Sequence, residues 1–528
     1  MGGGCGGGPV TPATTNGVAP SRSARDIFVR VLVACGYIFL LEGTVFGFSA
    51  LRPLYVRAGV FADACAGGGG PAASGQPLCD EQAARLAALL TTGAAVADLV
   101  ALPAGLAVWS IGRRLAYICA GALMATGFVA LGVGGHFATA MSLAAQTAVM
   151  HGGFVIMAMG HSMLFNGTLM YCGELKQLPV PAAAALHPYA TGMVSGSYAV
   201  ATLTPLALAA MNTTVLSLYL TLAAVAATLL LFAVVSEPAA GGSMATRWHA
   251  TRAAFMDAAS RWRTARKPAV WVAWVWVSLS TITMNWYQAT VVDQVAWFAG
   301  ADTDATDALT TAFNVLLPLG GAVGNAAVTM LLPEPAPPVP TSAAPVTKVR
   351  SHSSSDDNSG DHDDGDGDGS HRELLLVRAD AATTTAAAAA PALLRLPPSQ
   401  PRRTAWRGIA LAAVGAVVWG VPALIPNPWL QLAPMIVFSG WRTGVFVTYY
   451  HHVIEAFDPA AMLLLVNGAS LLTGIIAFIN VPLRDAVTTH GNELFTWITA
   501  AYVAICVATA VATLYVVARR RTAVVAVE

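Results

Sequence analysis

The sequence predicts an all-α polytopic membrane protein with twelve transmembrane helices in two sets of six and both termini on the cytoplasmic side. Three observations carry this expectation. Hydrophobic residues fill 56% of the 528 positions and charged residues only 11%, against about 25% charged in a soluble globular protein. Apolar stretches long enough to span a bilayer, which takes about 20 residues, recur along the whole chain. Lys and Arg concentrate in alternate loops, as expected where basic residues are retained on the cytoplasmic side.

The stretches begin near Ile27, Arg85, Leu115, Thr139, Pro188, Val215, Val270, Leu309, Ile409, Leu430, Ala461 and Glu493. Polar residues interrupt those at Thr139, Leu309 and Leu430 most. The first, ending near Leu51, is too long for the core of a signal peptide and shows no clear small-residue cleavage site. Residues 27–236 are expected to form one six-helix bundle and 269–518 the other. Arg22 and Arg25 mark the tail 1–26 as cytoplasmic. Arg113 and Arg114 mark the loop after the second span, and Arg247 to Lys267 mark the linker 237–268. Lys348 to Arg407 mark the loop after the eighth span, and Arg519 to Arg521 the tail 519–528. Arg52, Arg57 and Arg484 are the main exceptions.

The outer loops agree. Asn212-Thr213-Thr214 is a glycosylation sequon between spans five and six. Cys65 and Cys79 share the first outer loop, where the redox environment permits a disulfide. A second sequon at Asn166 falls on the inner side and is expected to be silent. Part of the basic linker can form an amphipathic helix on the inner leaflet. The insertion 333–405, rich in Pro, Ser, Asp, Gly and Ala, is expected to be disordered, as is the glycine-rich tail 1–26. Within the insertion, Asp364 to Gly369 resembles the start of a calcium loop, but Leu375 stands where the closing Glu belongs, and a solvated acidic tract fits better. Gly2 and Cys5 invite double acylation, although Gly6 replaces the preferred Ser or Thr.

This composition excludes a soluble enzyme, a disordered scaffold and a disulfide-dense secreted module; mean hydropathy is +0.61. Lys+Arg 28 against Asp+Glu 28 gives nucleic acid no electrostatic hold. No P-loop, zinc motif or dinucleotide fingerprint lies in a credible context, so neither cofactor nor metal is expected. The expected partners are the bilayer and a small solute, with the chain acting as a monomer.

Ionisable and amide side chains inside spans are functional candidates, because the bilayer makes them costly. Glu42, Asp98 and His151 lie in the first, second and fourth spans and are candidates for ion pairing or proton coupling. Asn285, Tyr287 and Gln288 sit together in span seven, Asn314 and Asn325 in span eight, Arg442 in span ten and Asn467 in span eleven. Arg442 either neutralises Glu42 or Asp98 or grips a substrate carboxylate with its bidentate fork. The asparagines serve equally as interhelical glue, worth about 0.6 kcal/mol each. His451, His452 and Glu455, at the inner end of span ten, read as a polar gate cluster. Gly43, Gly47 and Pro53, Gly192, Gly196 and Pro205, and Pro318 to Gly321 suit either helix breaks or tight packing. The candidate groups are spread over both halves, as a path between two bundles needs.

Two sets of six spans around a basic central loop resemble the major facilitator superfamily. The loop after span two reads Gly105-Leu106-Ala107-Val108-Trp109-Ser110-Ile111-Gly112-Arg113-Arg114. Its counterpart in that superfamily is Gly-x-Leu-Ala-Asp-Arg-x-Gly-Arg-Arg. Gly105, Gly112, Arg113 and Arg114 match, whereas Trp109 and Ser110 replace the gating Asp and its neighbour. Longer segments are similar to solute carrier family 43, the large neutral amino acid uniporters, and their fungal and protist relatives. These are Val45 to Pro53 followed by Cys65 and Cys79-Asp80-Glu81-Gln82, Ser195 to Ala199 around Tyr198, Met284 to Thr290, Phe313 to Gly321, and Arg442.

The resemblance implies the major facilitator fold and facilitative, sodium-independent amino acid transport by alternating access. Asn285, Tyr287 and Arg442 would then take the carboxylate, with Gln288, Asn314 and Tyr198 beside them. Glu42 or Asp98 would take the ammonium. The alternatives are a proton-coupled carrier of another small metabolite, a non-transporting sensor and, least supported, a membrane enzyme. The plasma membrane is the default location, with vacuolar or other organellar membranes as alternatives.

The topology makes a direct prediction. In a secretory-pathway host, Asn212→Gln abolishes an endoglycosidase-sensitive mass shift that Asn166→Gln leaves unchanged; the reverse pattern on a gel would invert the orientation.

Overall fold

Hydrocarbon offers the backbone no hydrogen-bond partner, so a spanning chain must satisfy its own amides, and the helix does so within each segment. The computed structural model describes residues 23–65, 79–178, 181–211, 214–236, 268–300, 302–331, 401–456 and 459–525, and among them all regular structure is helical. Eight helical stretches are long and apolar enough to cross a membrane, which makes this a polytopic integral membrane protein. The sequon at Asn212, the acylation motif, most of the basic linker and the acidic insertion up to residue 400 lie outside the described residues, whereas 24–26 and 401–405, expected to be disordered, are helical.

The first stretch is discontinuous: α1 (Ala24–Leu41), α2 (Gly43–Phe46) and α3 (Phe48–Arg57) are separated at Glu42 and Gly47. Ser23 caps α1 through Asp26 N at 3.1 Å, supplying one of the acceptors a helix start lacks. Next come α4 (Asp80–Ile111), α5 (Arg113–His136) and α6 (Leu143–Gln177). Gly112, at φ +79°, makes the turn between α4 and α5, a conformation that costs glycine little. A second break separates α7 (Pro181–Val200) from α8 (Leu203–Ala210), and α9 (Val215–Ser236) closes the first half. The second half comprises α10 (Pro268–Ala299), α11 (Thr303–Leu331), α12 (Pro401–Ala423), α13 (Leu432–Ala456), α14 (Pro459–Ala477), α15 (Asn480–His490) and α16 (Glu493–Val525).

Every expected span start falls in or beside a helix, but four stretches fall short on length or apolarity alone. The first is broken and carries Arg25, Asp26 and Arg30; α10 is loaded with Trp and polar residues; the described apolar part of α12 is short; α13 contains Arg442.

Packing repeats between the halves. In the first, α6 packs on α4 and α5, α5 on α9, and α1 on α6, α7 and α9. In the second, α13 packs on α11 and α12, α12 on α16, and α10 on α13, α14 and α16. The halves meet where α14 lies along α4 and where α11 and α13 lie along α7. One large apolar cluster runs through both halves, while side chains such as Val235, Val323 and Met330 point outward and stay exposed. An apolar exterior is what a lipid-facing surface requires.

Cys65 and Cys79 are joined by a disulfide, with Cα atoms 6.1 Å apart. Of the glycines and prolines expected at breaks, Gly43, Gly47 and Pro205 lie at them. Gly192 and Gly196 sit inside the continuous α7, against Asn325 and Thr329 of α11. Pro318 to Gly321 lie within an unbroken α11 whose glycines face α7 and α13. A Cβ on Gly324 would stand 2.6 Å from Gly440 Cα, so two glycines let these backbones touch.

Gly324→Val is therefore expected to cost about 1–3 kcal/mol through overpacking and to lower the thermal midpoint in detergent. Gly36→Ala, whose Cβ would meet nothing within 4 Å, should leave it unchanged or slightly raised; equal midpoints for both variants would refute the close approach.

Candidate functional site

A cavity of about 70 Å³ lies on the seam between the halves, lined from α4, α6 and α7 on one side and α10, α13 and α14 on the other. At roughly 10–15 Å³ per water on this measure, it has the capacity of a handful of non-hydrogen atoms. Its wall carries Asp98 of α4 and Arg442 of α13, with Asn285 and Thr281 of α10 and Ser470 and Thr473 of α14. A carboxylate from one half and a guanidinium from the other thus share one small space, and Arg442 is only 4% exposed.

Four aromatic rings close on each other at one side of the cavity. Phe165 and Tyr198 are 6.0 Å apart, Tyr198 and Phe446 6.4 Å, Phe446 and Tyr450 6.0 Å, and Tyr450 and Phe165 5.9 Å. The Arg442 guanidinium carbon lies 5.8 Å from the Tyr198 ring centre, within the range of a cation–π contact. A guanidinium is a planar fork of donors, which suits recognition of a carboxylate.

The halves are tied on both sides of the cavity. Asn467 of α14 donates to Asn166 of α6 at 2.7 Å, and Asn166 donates to the Ser162 carbonyl at 2.8 Å. Gly105 makes room for this knot, because a Cβ there would land on Asn467 Nδ2. Asn325 of α11 donates to the Gly192 carbonyl of α7 at 2.9 Å. Further along α10, Asp293 binds Arg52 of α3 at 3.0 Å and Arg484 of α15 at 2.7 Å. Arg484 also donates to the Ala289 carbonyl at 3.0 Å. Asp293 lies eight residues beyond Asn285, a rise of about 12 Å along a helix. A small cavity of about 20 Å³ beside Asn285, Gln288 and Asn480 lies in that direction.

Not every expected site residue gathers here. Asp98, Asn285, Arg442 and Tyr198 line the main cavity, and Gln288 lines the small one. Tyr287 packs instead into an aromatic cluster with Phe313, Trp419 and Phe438. Asn314 is half-buried on α11 and lines neither cavity. His151 contacts the Thr147 carbonyl of its own helix at 3.0 Å and is absent from the cavity wall. Glu42 stands behind the wall, 3.4 Å from His161 Nδ1. Arg113 pairs with Glu174 and lies 4.4 Å over the Tyr171 ring, inside the first half; Arg114 is half-buried next to it. His451 is buried and His452 half-buried, while the Glu455 side chain lies outside the described residues.

Sequence reasoning passed over His161, Tyr450 and Asp293. The polar run His161, Ser162 and Asn166 in the middle of the longest helix was the available signal for the first.

No protein-family model matches the chain. No curated protein matches it significantly either.

If Gly105 exists to seat Asn467, Gly105→Ala and Asn467→Ala remove the same contact. Each is expected to destabilise the detergent-solubilised protein, and the double variant should fall short of their sum by at least 0.5 kcal/mol on the usual scale of coupled neighbours. Strict additivity would show the two residues to be independent.

Proposed function

We propose that this chain is a carrier of small zwitterionic solutes, amino acids foremost, working by alternating access between two six-helix halves of a major facilitator fold with both termini cytoplasmic. The observation that carries the reading is the pairing of Asp98 and Arg442, one from each half, on the wall of one small cavity. An α-amino acid carries its carboxylate and its ammonium on one and the same carbon. Arg442 offers the first a charge-assisted fork, and Asp98 offers the second an acceptor.

The recurrent packing of the halves supports the same reading. So does the placement of ties on both sides of the cavity. Opening the seam toward one side breaks the Arg52–Asp293 contact, and opening it toward the other breaks the Asn166–Asn467 and Asn325–Gly192 contacts. A rocking motion that exchanges one set for the other exposes the cavity to each side in turn. Facilitative, sodium-independent movement is what the resemblance to the large neutral amino acid uniporters implies, and coupling to a proton is the alternative. The plasma membrane is the proposed site of action, with an organellar membrane as the alternative.

The test is uptake of a panel of radiolabelled amino acids into oocytes expressing the chain. Saturable uptake of a neutral amino acid is expected. At equal surface expression, Arg442→Ala should weaken it at least tenfold, since a hydrogen bond to a charged group contributes about 1.5–3 kcal/mol. Asn285→Ala should weaken it less, and Tyr287→Phe, outside the cavity, should leave it near wild type. Uptake indifferent to Arg442→Ala would remove the cavity from the transport path.

A further inference from the structure

We infer that Glu42 and His161 form a proton-binding pair that couples solute movement to a proton; the inference rests on the carrier reading above and names the regulation of the same cavity. Glu42 is 1% exposed, and among the described residues neither of its carboxylate oxygens accepts a hydrogen bond. Its ionic neighbour among the described residues is His161, with Nδ1 3.4 Å from Oε1. His161 in turn lines the solute cavity, its ring 5.9 Å from that of Tyr198. The pair therefore joins a buried carboxylate to the space a solute would occupy.

The backbone singles out the same place. Helix α1 ends at Leu41, Glu42 is the interruption, and α2 restarts at Gly43. Gly43 packs against the Ala201 carbonyl and Pro205, and Gly47 against Pro205, so this break abuts the one between α7 and α8. Two apposed discontinuities next to a buried acid are the kind of irregular backbone that membrane carriers tolerate where it serves a site.

The surrounding charges decide what state the pair takes. Close enough to Glu42 to feel its charge are Cys35 from α1, His161 from α6, Tyr198 from α7 and Tyr450 from α13, and beyond His161 the cavity wall carries Asp98 from α4 and Arg442 from α13. Helices α2 and α8 contain no ionisable side chain, and the one in α9, Tyr219, bonds Tyr55. Arg442 is thus the only permanent cation in the group, and Asp98 offsets it. An ionised Glu42 beside a neutral imidazole would be an uncompensated buried anion, at a cost of several kcal/mol. One proton on the Glu42 carboxyl, within reach of the imidazole, removes that charge.

The coupling follows from charge repulsion at the cavity wall. Without the proton, a solute carboxylate beside Arg442 would have a second buried anion, Glu42, behind His161 in the same wall. With the proton in place that repulsion is removed, so proton and solute are taken up together from one side and released together on the other. No bond other than that to the proton is made or broken.

The experiment uses the purified full chain in liposomes. In solute-free protein, infrared difference spectra should show a carboxylic-acid band that disappears on raising the pH and is missing in Glu42→Gln; Glu42→Asp serves if the Gln variant does not fold, and should shift the band. No difference between wild type and variants overturns the proton site. With a pH dye inside the vesicles and a mixture of L-alanine, L-leucine and L-phenylalanine added outside, the lumen should acidify as the labelled amino acids enter, and any entry through Glu42→Gln should come without acidification. Labelled counterflow in wild type with no acidification overturns the coupling. Absence of counterflow defeats the carrier reading instead, and the infrared result then decides the proton site alone.

Discussion

Everything in this molecule depends on the cost of an unpartnered polar group in hydrocarbon. It makes the regular structure helical, turns apolar side chains outward, and drives the polar residues of the spans into the seam between the halves. Arg442, Asp98, His161, Asn166 and Asn467 converge there because no other place in the bilayer pairs or hydrates them. The same constraint that builds the fold therefore assembles the candidate site.

Much of this was legible in the chain, because apolar length and basic loops are direct physical signatures of span and side. The helix positions follow from them, and the cost of polar groups in hydrocarbon singled out Asp98, Asn285 and Arg442, which line the cavity, and Glu42, which lies behind it. The face that each residue occupies was harder. Helix α6 is buried around most of its circumference, so no polar face stands out in its sequence, and His151 drew attention although His161 reaches the cavity. Ten residues at about 100° each place these two histidines on different sides of the helix. The same arithmetic separates Asn285 from Tyr287, two residues apart and some 200° around α10, and explains why one lines the cavity while the other packs among aromatic rings.

Long-range pairing was out of reach for a different reason. Arg52 and Arg484 stood out in the sequence as basic residues on the wrong side of the charge pattern. The structure shows both meeting Asp293, so two of the exceptions to the topology rule are two ends of one ion cluster. Their separation along the chain carries no local signature; only the folded seam brings them together. The asparagine knot is similar, since a lone Asn467 reads as generic glue until Asn166 and the space over Gly105 are seen beside it.

The Arg52–Asp293 contact spans 241 residues of chain, and this has a consequence for how the protein is made. At about 5–20 residues per second, Asp293 follows Arg52 out of the ribosome only after some tens of seconds. Throughout that interval the nascent chain holds an arginine whose carboxylate partner does not yet exist, so the end of α3 must remain at the aqueous boundary. Arrival of α10 withdraws that charge from water. The contact thus marks the moment at which segments made far apart in time become a single protein.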